Sequence, residues 1–320
     1  MALSAAVATL TVLGVATAAP AGSKATPPPD AAAAVVAPNA ASPDQAALDT
    51  QIQQARDRFD TTSRDPHPGE PEPLTHPDAD HAGSGLEPQT PDRKPPAPQF
   101  GPKIAPNSAN PTDNQPGLDV SSHQGNVNWA QVQATGAQFA YVKATEATSR
   151  ANPYFAQQYN GARGAGLVRG AYHFAIPSNS SGSAQADSFV ANGGAWSAGT
   201  QTMPGMVDLE YNPYGPQCYG LSQGQMVGWI HSFSNEYHAR TGRLPVIYTT
   251  TDWWKSCTGN SPSFGADPLW IAKWGATPYP LPNGWSNYTI WQYSDHGVYP
   301  GGQDSFNGSH AQLVAFANHR

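Results

Sequence analysis

Charge is scarce in this chain of 320 residues, and positive charge scarcest. Asp, Glu, Lys and Arg make up 12% of it, with 16 basic against 23 acidic residues and a net charge of −7 at pH 7. No basic run or stripe is present to neutralise phosphates, so nucleic acid is excluded as the partner. An anionic surface would be met through short-range contacts rather than electrostatic steering. Cysteine is nearly absent: Cys218 and Cys257 stand alone and form no C-x-x-C pair, so no zinc site is expected. His123 and His173 belong to no H-E-x-x-H or H-x-x-x-H pairing; neither a metal nor a cofactor is expected.

The first third lacks large apolar residues. Of 32 prolines, 20 fall in the first 116 positions, whereas all nine tryptophans lie between Trp129 and Trp291. Such a segment cannot bury enough surface to offset its ordering entropy. Residues 19–116 therefore read as a Pro/Ala-rich disordered tether with semi-rigid extended stretches, its three histidines solvated, and its removal is expected to leave the chemistry at near full-length rates. Residues Leu3 to Ala18 are apolar and uncharged and end in Ala16-Thr17-Ala18. That run is short for a bilayer and reads as a signal peptide over 1–18. No other segment is apolar enough to span, so stable membrane insertion is not expected; a secreted, extracellular or wall-associated monomer is. In an exported protein the pair Cys218 and Cys257 is expected to form a disulfide.

From Gly117 onward short β-rich runs alternate with helical stretches. Strands are predicted at Gly117–Val120, Phe139–Thr145, Val168–Phe174, Met206–Glu210, Pro245–Thr250, Leu269–Trp274, Tyr288–Tyr293 and Gln303–Phe306. Helices are predicted at Trp129–Thr135, Tyr154–Ala165, Ala184–Ala191 and Ser222–Thr241. Eight strands with helices mainly between the first five suggest an α/β fold, a (β/α) barrel that degrades in its last third, over residues 117–320. A doubly wound open sheet is the alternative, weakened because no Gly-rich phosphate loop follows the first strand. Gly220-Leu221-Ser222-Gln223-Gly224 fits the nucleophile-elbow spacing, but it follows a loop rather than a strand, so Ser222 reads as a helix N-cap.

The chemistry concentrates on acids. In Met206-Val207-Asp208-Leu209-Glu210 two carboxylates at i and i+2 of a strand share a face, about 7 Å apart along the backbone. Two acids held close cannot both ionise easily, which suits one of them to act as a general acid; a solvated strand end is the plainer alternative. Asp119 interrupts an apolar run where the first strand meets its loop, and Asp304 lies inside the last one. Barrel enzymes place their chemistry at such strand ends, although a turn-forming Asp would look the same. Tyr172, Tyr211, Tyr248, Trp270, Trp291 and Tyr293 fall late in predicted strands, where aromatic faces can stack on sugar rings, or simply fill the core.

Asp119-Val120-Ser121…Gln124-Gly125, Tyr141-Val142-Lys143-Ala144-Thr145-Glu146, Tyr172-His173-Phe174, Asp208-Leu209-Glu210, Trp291-Gln292-Tyr293 and Asp304-Ser305-Phe306-Asn307, taken in order and spacing, resemble the family 25 glycoside hydrolases, bacterial and phage muramidases. The resemblance covers nearly all of Gly117 to Arg320 and none of the tether. It implies a flattened, irregular barrel of eight strands and fewer helices. It implies hydrolysis of the β-1,4 bond from N-acetylmuramic acid to N-acetylglucosamine in bacterial peptidoglycan. Glu210 looks like the general acid. Asp208 is similar to the residue that positions the substrate's own 2-acetamido group as nucleophile, an exception to the two-carboxylate scheme. Asp119 and Asp304 resemble two further active-site carboxylates. A chitinase-like enzyme would carry a longer D-x-x-D-x-D-x-E string, which Met203 to Val207 does not supply; a non-catalytic wall-binding module would have no need of all four acids.

Overall fold

The computed structural model describes residues 81–83 and 113–318. Nine strands make one sheet: β1 (Gln115–Val120), β2 (Phe139–Glu146), β3 (Arg150–Ala151), β4 (Val168–Phe174), β5 (Met206–Asp208), β6 (Val246–Thr249), β7 (Leu269–Ala272), β8 (Ile290–Ser294) and β9 (Gly302–Phe306). Parallel pairing runs from β1 through β2, β4, β5, β6 and β7 to β8, and β9 joins β8 to β1 antiparallel to both. Eight strands thus close an irregular (β/α) barrel, while β3 is a two-residue ribbon on the end of β2. All eight barrel strands coincide with predicted ones to within a few residues at their ends.

Four helices occupy the connections where the sequence predicts them: α1 (Trp129–Ala134), α2 (Phe155–Gly164), α3 (Gly182–Phe189) and α4 (Gln223–Thr241). Ser222 caps α4 as expected. Its hydroxyl accepts from the Gln225 N–H while the Gln225 side chain accepts from the Ser222 N–H, satisfying two of the orphan donors that any helix start exposes. Two further helices, α5 (Thr251–Thr258) and α6 (His310–Asn318), lie where none is predicted. Each is under three turns, too short for a clear 3.6-residue period. The start of α5 is nonetheless chemically marked: Thr250 accepts from the Trp253 N–H at 3.0 Å and Asp252 sits in the first turn.

Strand alternation sorts the aromatics between two cores. Tyr141, Tyr172, Met206, Tyr248 and Trp270 point into the barrel, where they join one cluster with Ile290 and Phe306. Val207, Leu209 and Ile247 point outward and meet Trp229 and Phe233 of α4 and Trp253 of α5. Outside β7 and β8 the Pro- and Gly-rich loop takes the place of a helix: Leu281 and Trp285 cover Leu269, Ile271 and Trp291. The Trp291 indole N–H donates to the Lys273 carbonyl at 2.7 Å. An aromatic ring buried this way removes about 150–250 Å² from water, worth up to about 4–6 kcal/mol. His173 is a hydrogen-bonded barrel residue, between Thr145 Oγ1 at 2.8 Å and Gln185 Oε1 at 2.9 Å. Burial drives its pKa down to about 4, so it carries no charge at neutral pH.

Among the described residues no helix is long and apolar enough to cross a membrane. The proposed signal peptide lies outside the described residues, as does most of the tether. One part of the tether departs from expectation. His81 is not solvated linker: it is half-buried, with its ring 4.9 Å from that of His123, and the adjoining Ala82 is buried.

Cys218, in the loop after β5, is bonded to Cys257 of α5, with the two Cα atoms 5.3 Å apart. The bridge ties together two connections that leave neighbouring strands at the same end of the barrel. Closing a loop of about 40 residues is worth roughly 2–4 kcal/mol. Denatured, unreduced protein is therefore expected to show no titratable thiol, and reduction to lower its unfolding free energy by about that amount; two free thiols would contradict the bridge.

Candidate active site

Four acids converge at the ends of the parallel strands. Asp208 is the last residue of β5, and the extended path continues past it because the Leu209 N–H donates to the Tyr248 carbonyl at 3.0 Å. Leu209 is buried in the outer cluster, so Asp208 and Glu210, on either side of it, both face inward. Asp119, near the end of β1, and Asp304, in the middle of β9, reach the same interior through register: Asp304 lies opposite Gly117 on one side and Gln292 on the other. None of the four exposes more than 2% of its surface. The phenol of Tyr248, buried among them, is pushed well above its usual pKa by burial and by the charges of Glu210, Asp208, Asp119 and Asp304 in turn. Strand register sets Tyr248 beside Asp208, and its hydroxyl reaches Asp119 through Gln292, which lies level with Asp304, so the acids share one region of the barrel.

Burial and mutual repulsion set their proton affinities. Asp208 is held well above the ordinary carboxylate range by burial first and by the adjacent Glu210 charge second, with Lys143 opposing. Asp304 is likewise pushed well above that range by burial and by Asp119, opposed by Trp270. Asp119 rises to about 7, chiefly through burial, while the hydrogen bond from Gln292 pulls the other way. Both oxygens of Asp304 are buried without a hydrogen-bond partner, so burial and the neighbouring Asp119 charge together oppose ionising both acids at once.

The neutral partners are as specific as the acids. Gln292 donates through Nε2 to Asp119 Oδ2 at 2.8 Å, while its Oε1 accepts from the Tyr248 hydroxyl at 2.9 Å and from the Trp274 indole at 3.2 Å. The absence of a side chain at Gly302 is required here, because a Cβ would run into the Asp119 carboxylate. Lys143 stands behind Asp208. Its ammonium bonds Glu146 Oε2 at 2.7 Å and lies 5.0 Å from the Phe174 ring centre. Glu146 also takes Arg150 Nη1 at 2.8 Å and the Tyr214 hydroxyl at 2.9 Å.

Of the residues singled out in the sequence, Asp119, Asp208, Glu210, Asp304, Tyr172, Tyr248 and Trp270 are brought together. Trp291 is not. It points outward beneath the loop that covers β7 and β8, because residues of β8 alternate and Gln292 takes the inward place. Tyr293 packs against the same outer cluster, its ring 5.7 Å from Trp291, although the charge of Asp304 reaches its phenol. Tyr211 packs against the helix-side cluster. Gln292 and Lys143, which the sequence carries inside the motifs Trp291-Gln292-Tyr293 and Tyr141 to Glu146, belong to the site as well, with Trp274 beside them. A parity count from Ile290 along β8 would have found the first of them.

A cleft of buried acids with tyrosine and tryptophan beside them, at the end of a barrel's parallel strands, defines a hydrolase acting on carbohydrate. The family model of glycosyl hydrolases family 25 matches residues 118–302. Lysozyme M1 of Streptomyces globisporus is 49% identical over 208 residues, 63% of this chain and 71% of that protein. An N,O-diacetylmuramidase of Chalaropsis is 50% identical over 206 residues, 63% of this chain and 98% of that one. The solved structure of a family 25 lysozyme from Aspergillus fumigatus superposes with a TM-score of 0.63 at 50% identity, covering 64% of this chain and all of that one. This chain belongs to glycosyl hydrolases family 25, and it is a glycoside hydrolase of the lysozyme, or muramidase, kind.

The acids leave a signature in stability. Asp119 binds its proton more tightly in the folded state, about 7 against 3.8. Its contribution is therefore full below about pH 4 and is lost as pH rises toward 7. Asp119→Asn is expected to melt above the native chain at pH 8, by up to about 4 kcal/mol, with the gap closing near pH 4. Thermal melts across that range check this; a gap independent of pH would contradict it.

Proposed function

We propose that this chain is an exported peptidoglycan hydrolase that cleaves the β-1,4 bond from N-acetylmuramic acid to N-acetylglucosamine. Residues 1–18 serve as its signal, 19–116 as its tether and 117–320 as its catalytic barrel, acting as a monomer. The observation that carries this reading is the burial of Asp119, Asp208, Glu210 and Asp304 in one region of the barrel, linked through Tyr248 and Gln292.

A glycosidic oxygen is a poor leaving group, so a proton must arrive as its bond breaks. Glu210 supplies it. Asp208 accepts the N–H of the muramic acid's 2-acetamido group, and the acetamido carbonyl oxygen attacks the anomeric carbon from the opposite face. The glucosamine side departs with the Glu210 proton, leaving a cyclic oxazolinium. Glu210, now a carboxylate, takes a proton from water as that water opens the ring, and the original configuration is restored. The pair Asp208 and Glu210 cannot both ionise in so dry a place. An acetamido N–H donated to Asp208 favours its ionised form and leaves the proton on Glu210, where the leaving oxygen needs it. Substrate binding thereby sets the protonation state the reaction requires. Tyr172, Tyr248 and Trp270 form the aromatic wall beside the reacting sugar.

Glu210→Gln is expected to keep its melting temperature and to lower kcat at least about 10²-fold on glycan strands. A well-folded variant that keeps most of its activity would remove Glu210 from the role of acid. Asp208→Asn is expected to be comparably severe, because acetamido orientation and proton placement are lost together. Mass spectrometry of digested peptidoglycan is expected to find muramic acid at the new reducing ends; glucosamine there would identify the other bond, and a different enzyme.

A further inference from the structure

The cleft is not lined by the barrel alone. Three residues of the N-terminal extension, His81, Ala82 and Gly83, lie in it. The Gly83 N–H donates to Glu210 Oε1 at 2.9 Å, and Gln292 Nε2 donates to the Ala82 carbonyl at 3.3 Å. Ala82 is buried and joins the inner cluster that holds Tyr172, Tyr248 and Trp270. His81 sets its ring against that of His123, which follows β1. Gly83 has φ of +90°, and a Cβ there would stand 2.7 Å from Gln292 Oε1 and 3.3 Å from both the Trp274 ring and the Tyr248 hydroxyl. Glycine alone fits this place.

The chemistry of the contact is telling. A peptide unit presents an N–H and a carbonyl, the same two groups as the acetamido substituent of an N-acetylated sugar. Here the N–H faces the acid cluster and the carbonyl faces the Gln292 amide. We infer that the acid cleft binds a peptide turn with a small residue followed by glycine. In this chain His81-Ala82-Gly83 is that ligand, and a glycan must displace it before it can reach Glu210. The competition part rests on the assignment of Glu210 as the acid; the docking itself does not. A ligand of three residues binds weakly on its own, because so small a surface must offset the cost of ordering it. Attachment through about 30 residues of chain raises the effective concentration into the millimolar range, enough to keep a weak ligand in place. The expectation that removing the tether leaves rates unchanged gives way to one in which losing this contact raises them.

The test uses the full chain and two variants confined to the docked segment, with every barrel residue unchanged. Gly83→Leu supplies the side chain the site cannot hold, and Ala82→Asp sets a carboxylate beside four others. With soluble glycan strands at low concentration, both variants are expected to raise kcat/KM at least about threefold, through KM, with kcat and melting temperature unchanged. Hydrogen exchange gives a second, activity-independent reading: the peptide spanning 81–83 is expected to be protected in the native chain and to exchange freely in both variants. Free exchange in the native chain would overturn the docking, and equal kcat/KM across all three active chains would overturn the competition. Protection lost in both variants, with no chain acting on glycan, would support the docking and overturn the glycan reading instead.

Discussion

The mutual burial of Asp119, Asp208, Glu210 and Asp304 is the constraint on which the rest of this structure turns. Carboxylates removed from water resist ionisation, and carboxylates removed together resist it more. Each neighbouring feature answers that strain in one of three ways. Asp304 answers by resisting ionisation, its proton affinity raised by burial and by the Asp119 charge. Gln292 offers Asp119 a donor and is itself locked in that orientation by Tyr248 and Trp274. Lys143 sets a positive charge near Asp208 without a direct bond, held back by Glu146. The residual cost falls on the hydrophobic layers, in which five tryptophans are essentially inaccessible to solvent. Activity and stability are opposed at this mouth, as they are wherever function requires buried charge.

The barrel's topology explains how residues far apart in sequence come to share one point. Parallel strands deliver their final residues to a common end, which accounts for Asp119 and for the pair Asp208 and Glu210. An antiparallel strand runs the other way and would bring its start there instead. β9 meets this by placing Asp304 at its centre, level with Gln292 on β8, and by starting with Gly302, so that the Asp119 carboxylate can lie against its backbone. The irregular last third of the barrel is thus tied to the site. A regular eighth strand would present a different residue.

Much of this was legible beforehand, for identifiable reasons. β2, β4, β6, β7 and β8 are rich in β-branched or aromatic residues, and their positions follow from composition. Asp208 and Glu210 could be assigned a common face because a period of two needs no tertiary information. The same period of two along β8 sends Trp291 outward and Gln292 inward, so aromatic character alone does not place a side chain in the site. β3 was illegible because two residues carry no period. Ala82 and Gly83 were illegible for a different reason: a segment that contributes almost nothing to a core can still complete one when the cavity needs only a methyl group and a flat peptide.

That last point bears on how the cleft recognises anything. Among the described residues Gln292 is committed to Asp119, Tyr248 and Trp274, while the oxygens of Asp208 and Asp304 make no hydrogen bond. Glu210 can accept, Gln292 can still donate, and Tyr172, Tyr248 and Trp270 offer apolar contact. A ligand that matches must carry an N–H and a carbonyl in one planar unit with a small apolar group attached. The acetamido group of a wall sugar meets that description, and so does an alanyl-glycyl peptide bond. Discrimination between them cannot come from these groups, since both satisfy the same bonds. It has to come from the rest of the ligand. A glycan strand continues along the cleft and gains contacts on either side of the reacting sugar, whereas the peptide adds the packing of Ala82 and the His81 ring against His123. Long strands would therefore displace the segment readily and single sugars poorly, so that an occupied cleft favours polymeric wall over its soluble debris.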